Sequence, residues 1–298
     1  MSEEDGVEVE ARTTFSFDDP TEFKLRSYQG RLVKGKPKAA RQRIASRIAE
    51  MDLDVLAVQE VEDVDTLAGF ARQELESLGY RHVVLVEGND PRLIDVGLLS
   101  RLPLGGVTSW RHAVHLEAPH QPVFSRDLLE VEVLNERRTK RLFTLYNTHF
   151  KSQFVPFGQD PVAGAQAADQ RRRQQAESVA RIVSARMRPN STFLVVGDMN
   201  DAPDAEPLTP LFSELPLTDG LVDALEDRPA PEDTPPAPDR PWTHRFKPPR
   251  KPAHYQLFDH IWLSETASQR KAGAGINRRT RLGGDGSDHD PAWVDLEL

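Results

Sequence analysis

Between residues 82 and 148, four strand-like segments follow one another with no helical pattern between them: 82–86 (HVVLV), 95–100 (DVGLLS), 127–134 (DLLEVEVL) and 141–148 (RLFTLYNT). Strands that succeed one another without a crossover helix pair antiparallel, because a parallel partner needs a long return connection. Helical patterns flank this run. In KAARQRIASRIAEM (38–51), Ile44, Ile48 and Met51 recur at helical spacing, and residues 64–78 read as a second helix closed by Gly79. A long stretch rich in Ala, Gln and Arg, roughly 163–187, reads as a third. Further strands are expected at 53–59 (LDVLAVQ), 192–197, around 256–263 and at 292–298. The last alternates Val294, Leu296 and Leu298 against Asp295 and Glu297. The pattern predicts an α+β fold rather than a doubly wound parallel sheet.

A chain of 298 residues is long enough for one large domain or two. Residues 227–241 (DRPAPEDTPPAPDRP) hold six prolines in fifteen positions, which reads as a polar loop. Chemistry-bearing segments lie on both sides of it, so a single domain over 1–298 is expected. There is no cysteine, which excludes disulfides and thiolate metal sites and leaves His, Asp, Glu and Asn as side-chain ligands. The net charge of −9 argues against a protein that coats nucleic acid non-specifically. Basic clusters at 31–47, 137–141, 171–173, 245–251 and 278–281 still leave room for a phosphate-bearing substrate. No apolar run is long enough to span a membrane, and the acidic N-terminus has no apolar signal core, so a cytoplasmic, monomeric protein is expected.

Polar residues gather where strands end. Glu60 ends LAVQE, Asn147 and His149 end LFTLYNTH, and Asp198 and Asn200 end FLVVGDMN. Asp259 and His260 open DHIWL, while Asp288 and His289 precede PAWVDLEL. One acidic residue after a strand is usually a cap or a turn. Five strands presenting carboxylates, amides or imidazoles at one end suit a divalent-metal phosphoryl site. Carboxylates there hold a hard cation, amides orient oxyanions, and a His shares a proton with an Asp.

The segments VQE (58–60), YNTHFKS (146–152), GDMND (197–201), FDHIWLS (258–264) and GSDHDP (286–291), in this order and spacing, resemble the endonuclease/exonuclease/phosphatase superfamily. Its members include deoxyribonuclease I-like and exonuclease III-like nucleases, neutral sphingomyelinases and inositol polyphosphate 5-phosphatases. The resemblance covers roughly residues 38–298 and implies a four-layer α/β/β/α sandwich of two mixed β-sheets flanked by helices. It also implies a hydrolase using Mg²⁺ or Mn²⁺, held by Glu60 and Asp288. In that scheme Asp198 activates water, Asn200 and His149 contact the phosphate, and Asp259 orients His289 toward it. Asn147 and Arg126 are the implied substrate contacts, with a structural salt bridge equally open for Arg126. His260 stands where such motifs more often carry tyrosine and is read as supporting the site from behind. Trp242 reads as packing. His82, His112, His115, His120, His244 and His254 have no motif support. The implied substrates are nucleic acid or a small phosphodiester, including a phospholipid head group; a non-catalytic phosphoester binder is the remaining alternative.

The chain also departs from the pattern at its start. The family opens on a strand ending in asparagine, and no asparagine precedes Asn89 here. Within residues 1–20 the alternation of Val7, Val9 and Ala11 allows an atypical first strand, with Ser16, Asp18 or Asp19 as substitutes for the amide.

Overall fold

A computed structural model of the protein describes residues 23–26, 31–188 and 190–298. The expected first strand within 1–20 lies outside the described residues. The hairpin β1 (Phe23–Arg26) and β2 (Arg31–Lys34) leads into α1 (Lys38–Met51), β3 (Val55–Val61), α2 (Val64–Glu74), β4 (His82–Leu85) and β5 (Asp95–Ser100). A run of strands follows: β6 (Leu104–Ser109), β7 (Val114–His115), β8 (Ala118–Pro122), β9 (Leu128–Leu134) and β10 (Arg141–His149). Helix α3 (Pro161–Arg186) then crosses to β11 (Phe193–Asp198). The remainder comprises α4 (Thr209–Glu214), β12 (Leu217–Asp219), β13 (Leu225–Glu226), the hairpin β14 (His244–Phe246) and β15 (His254–Gln256), β16 (Asp259–Ser264), α5 (Glu265–Ser268), β17 (Lys271–Ile276) and β18 (Ala292–Leu296).

Six strands form one sheet in the order β12-β16-β11-β10-β9-β6. Its one parallel pair is β10 with β11, joined by the α3 crossover, as parallel pairing requires. The crossover lays α3 on the outer face, where Ala176, Val179, Ala180 and Val183 meet Tyr146, Phe193, Val195 and Trp262. The inner face carries Leu145, Leu194 and Leu263 against Val96 and Leu98 of β5. Beyond it lies the sheet β3-β5-β4, covered by α1 and α2 through Ala45, Ile48, Leu67 and Ala71. The layers therefore run α/β/β/α, as expected. Among the described residues, the second β layer consists of this sheet and a separate one, β13-β17-β18. A cavity of about 1070 Å³ is lined by Leu53–Glu62 and Asp290–Leu298 of these two sheets and by Phe143, Leu145, Leu194 and Val196 of the six-stranded one.

Helices α2 and α3 start on capping aspartates. Asp63 accepts the Thr66 amide (2.6 Å) at the head of α2, and Asp160 accepts the Ala163 amide ahead of Pro161 in α3. The strand expected around 256–263 is two strands, β15 and β16, separated by Leu257 and Phe258. Strands β6 and β17 were not expected at all.

Candidate active site

Strand register builds the centre of the site. On β10, β11 and β16, Leu145, Leu194 and Leu263 form one cross-strand row facing the inner core, and Asn147, Val196 and Ile261 form the next. Two residues further on, the same face carries His149 opposite Asp198 and Asp198 opposite Asp259. The period-two alternation of a strand thus carries each apolar row into a polar row at the sheet's end. A fourth member comes from outside the sheet: His289 Nδ1 lies 2.6 Å from Asp259 Oδ2.

The GDMN turn has steric reasons for its composition. Gly197 has φ +133°, and a Cβ there would lie 1.9 Å from the Thr148 carbonyl oxygen. Asn200 takes a left-handed φ of +53°, a conformation asparagine tolerates better than most residues. Its amide N–H donates to Asp198 Oδ1 (2.8 Å), and its side-chain amide donates to the Phe150 carbonyl (3.3 Å). Asp201 pairs with the buried Arg172 of α3 (2.9 Å), and its carbonyl meets His260 Nε2 at 2.9 Å. His260 therefore braces the turn from behind, the place the sequence assigned to it.

The electrostatics separate these groups. Burial and the neighbouring Asp259 charge push Asp198 up to about 7. Burial also opposes ionisation of Asp259, but the His289 charge and its hydrogen bond prevail and hold Asp259 below the usual carboxylate range. Burial disfavours the charged form of His289, yet Asp259 outweighs it and raises His289 to about 10. His149 goes the other way: burial, then the Arg126 charge, lower it to about 3, so its ring is neutral. His149 Nε2 lies 3.4 Å from Asp198 Oδ2, and its Nδ1 is buried without a hydrogen-bond partner. The row can therefore offer a base that titrates near neutrality beside an imidazolium held charged by a carboxylate.

Oxygen donors for a cation stand beside the row. Glu60 sits where the β3–β5 register breaks between Val58 and Val61, with φ +58°, a strained position that turns an exposed carboxylate out of the ladder. It lies within electrostatic reach of Asp198, Arg92 and Arg126. Glu60, Asp198, Asp259, Asp288 and His289 all line the cavity. Exposed carboxylates of this kind suit a hard cation such as Mg²⁺ or Mn²⁺.

A family model described as "Endonuclease/Exonuclease/phosphatase family" matches residues 30–289. The chain belongs to that family. Solved structures of similar fold include a mannosyl-6-phosphatase from Bacteroides thetaiotaomicron (TM-score 0.56, 15% identity, 87% of this chain and 91% of that one). A 3'-5' exonuclease from Neisseria meningitidis is similar at TM-score 0.57 and 18% identity, over 86% and 94% of the two chains. A truncated TDP2 from Caenorhabditis elegans reaches 0.52 and 17%, over 85% and 88%. No curated protein matches by sequence. Members of the family are generally hydrolases of phosphoesters: nucleases, phosphatases and phosphodiesterases.

Two residues expected to touch substrate are placed differently from the rest of the family set. Asn147 is fully buried and saturated: its amide nitrogen donates to the Val58 (3.1 Å) and Gly97 (2.8 Å) carbonyls, and its oxygen accepts from Gln59 (2.8 Å). It clips the two β layers together, and no polar atom is left for a phosphate. Arg126 is 2% exposed, donates to the Phe150 carbonyl (2.9 Å) and pairs with Asp90 (3.2 Å) rather than with its neighbour Asp127. Its charge still reaches Asp198 and Glu60. Trp242 is buried under the Arg278 guanidinium, 3.9 Å from the ring centroid, and packs as expected.

Two residues near the site carried no sequence assignment. Asp290 is fully buried among Arg279 (3.0 Å), Arg278 (3.3 Å) and Arg47 (3.5 Å), and so anchors the loop that bears Asp288 and His289. The only available signal was the second Asp of SDHDP. His244 reaches the site by pairing β14 with the backbone of His289, and nothing local to it signals that.

Proposed function

We propose that this protein is a divalent-metal-dependent phosphodiester hydrolase, and specifically a nuclease acting on DNA or RNA. The observation that carries the reading is the register-locked row His149–Asp198–Asp259, extended by His289. Asp198 takes the proton of the attacking water. The charged His289, oriented by Asp259, and the neutral His149 stabilise negative charge on the phosphate, with Asn200 held beside them. Mg²⁺ or Mn²⁺, held by Glu60 and Asp288, would neutralise charge on the phosphate oxygens. Arg92, Arg126 and Lys151 supply positive charge near this centre in a chain of net charge −9, which favours a polyanionic backbone as the substrate.

The test is a panel of plasmid DNA, end-labelled DNA and RNA oligonucleotides, and bis(p-nitrophenyl) phosphate, each with Mg²⁺, Mn²⁺ or EDTA. Cleavage of nucleic acid that needs metal and disappears in Asp198→Asn and His289→Gln supports the reading. Turnover of the small ester alone would move the assignment to a small-phosphodiester hydrolase. Activity that survives either substitution in full would overturn the catalytic assignment.

A further inference from the structure

His244, Asp288 and His289 each offer a ligand atom within 4.8 Å of the others. The arrangement is fixed from several sides. An isolated antiparallel bridge pairs the backbones of His244 and His289, and their ring centroids lie 4.8 Å apart. The His244 ring stacks on Phe258 at 5.1 Å and 16°, and its Nδ1 is buried without a hydrogen-bond partner. Buried polar atoms are normally satisfied, so an orphaned imidazole nitrogen beside a second imidazole calls for a ligand. His289 is oriented through Nδ1 by the Asp259 carboxylate, which leaves Nε2 as its donor. A carboxylate behind a histidine that presents its other nitrogen is the usual support of a metal-bound imidazole. Asp288 completes the set with an exposed carboxylate on a loop pinned by Arg279, which donates to the Asp288 carbonyl (2.7 Å).

We infer that His244, Asp288 and His289 form a site for a borderline transition metal of the Zn²⁺ class, and that loading it switches the hydrolase off. Two imidazoles and one carboxylate favour Zn²⁺ over Mg²⁺, which prefers oxygen donors and keeps its waters. Binding places the metal on His289 Nε2 in place of the proton, which leaves to solvent. His289 then has no N–H to turn toward a phosphate, and Asp288 is no longer free for the Mg²⁺ that the proposed function assigns to it together with Glu60. The inhibitory consequence rests on the hydrolase reading above; metal binding itself does not.

The experiment uses metal-stripped protein without substrate. Zn²⁺ is titrated by calorimetry, and Co²⁺ by the visible absorption of an imidazole-bound ion. The expected result is one Zn²⁺ per chain and a Co²⁺ spectrum of histidine ligation. His244→Phe keeps the stack on Phe258 and should weaken Zn²⁺ binding by at least about 100-fold. Losing a ligand costs more than losing a ligand's hydrogen-bonding partner, itself worth roughly 10–100-fold in affinity. Asp288→Asn, at an exposed position, gives an independent variant should His244→Phe fail to fold as judged by circular dichroism. Unchanged Zn²⁺ affinity in both folded variants, or no histidine-type Co²⁺ spectrum in the wild type, would sink the proposal. The ratio of rates with and without Zn²⁺, under saturating Mg²⁺, is then compared between wild type and His244→Phe. Inhibition confined to the wild type supports the switch, and equal inhibition in both overturns it. If neither protein hydrolyses any phosphodiester, the hydrolase reading and its switch fall, while the binding data still decide the metal site.

Discussion

At the scale of single residues, the site depends on a carboxylate and an imidazole that are both displaced upward from their ordinary titration ranges. The basic form of Asp198 is present above about 7, and the charged form of His289 below about 10. The kcat–pH profile should therefore rise through the first value and fall through the second, giving a broad bell. Asp259→Asn removes the charge that holds the His289 proton, so the alkaline limb should move to lower pH, read from the same profile. Asp198→Asn should lower kcat by about 10²–10⁴-fold, the usual contribution of a general base. The same residue predicts a stability effect of opposite sign. The folded-state value of Asp198 lies above the unfolded one, so deprotonation is harder in the fold, and stability is lost as pH rises between the two. Asp198→Asn should therefore melt at a higher temperature than wild type at pH 8, with the difference shrinking toward pH 4.

Among the elements, the site depends on segments that touch no substrate. The loop carrying Asp288 and His289 has no secondary structure beyond its one bridge to His244, and is held by Asp290 inside its three arginines. Removing one member of a buried ionic group leaves the others uncompensated, typically at 3–5 kcal/mol. Asp290→Ala should lose about that much in denaturant unfolding, and with it the alignment of His289. The Asn147 clip works on the same principle between sheets. Asn147→Ala strips the Val58 and Gly97 carbonyls of their shared donor, and a loss of about 1–3 kcal/mol is expected in the same measurement.

On the scale of the whole molecule, the proposed polyanionic substrate has to meet a chain of net charge −9, so attraction has to be local. Arg92, whose side chain is 60% exposed, is an accessible cation whose charge reaches Glu60 and His149. Arg92→Ala should reduce the slope of log affinity against log salt on DNA by about 1 and leave turnover of a small phosphodiester nearly salt-independent. The four-layer order and the partnership of Asp259 with His289 followed from the family resemblance. The strand ends carrying His149, Asp198 and Asp259 were legible directly, because short runs of branched residues write both the strand and its end. Strands β6 (LGGVTS) and β17 (KAGAGI) were not, because glycine and alanine carry no strand signal. Gly275 is small for a tertiary reason: a Cβ there would come within 2.5 Å of the Trp293 ring. Local sequence thus determined which residues stand at strand ends, since periodicity and turn chemistry act over a few positions. Only the tertiary structure decided that Asn147 is consumed between the sheets, that Asp290 gathers Arg47 of α1 together with Arg278 and Arg279, and that His244 comes to lie beside His289. Hydrogen-bond saturation and ion pairing depend on neighbours brought from far along the chain, and no short window of sequence contains them.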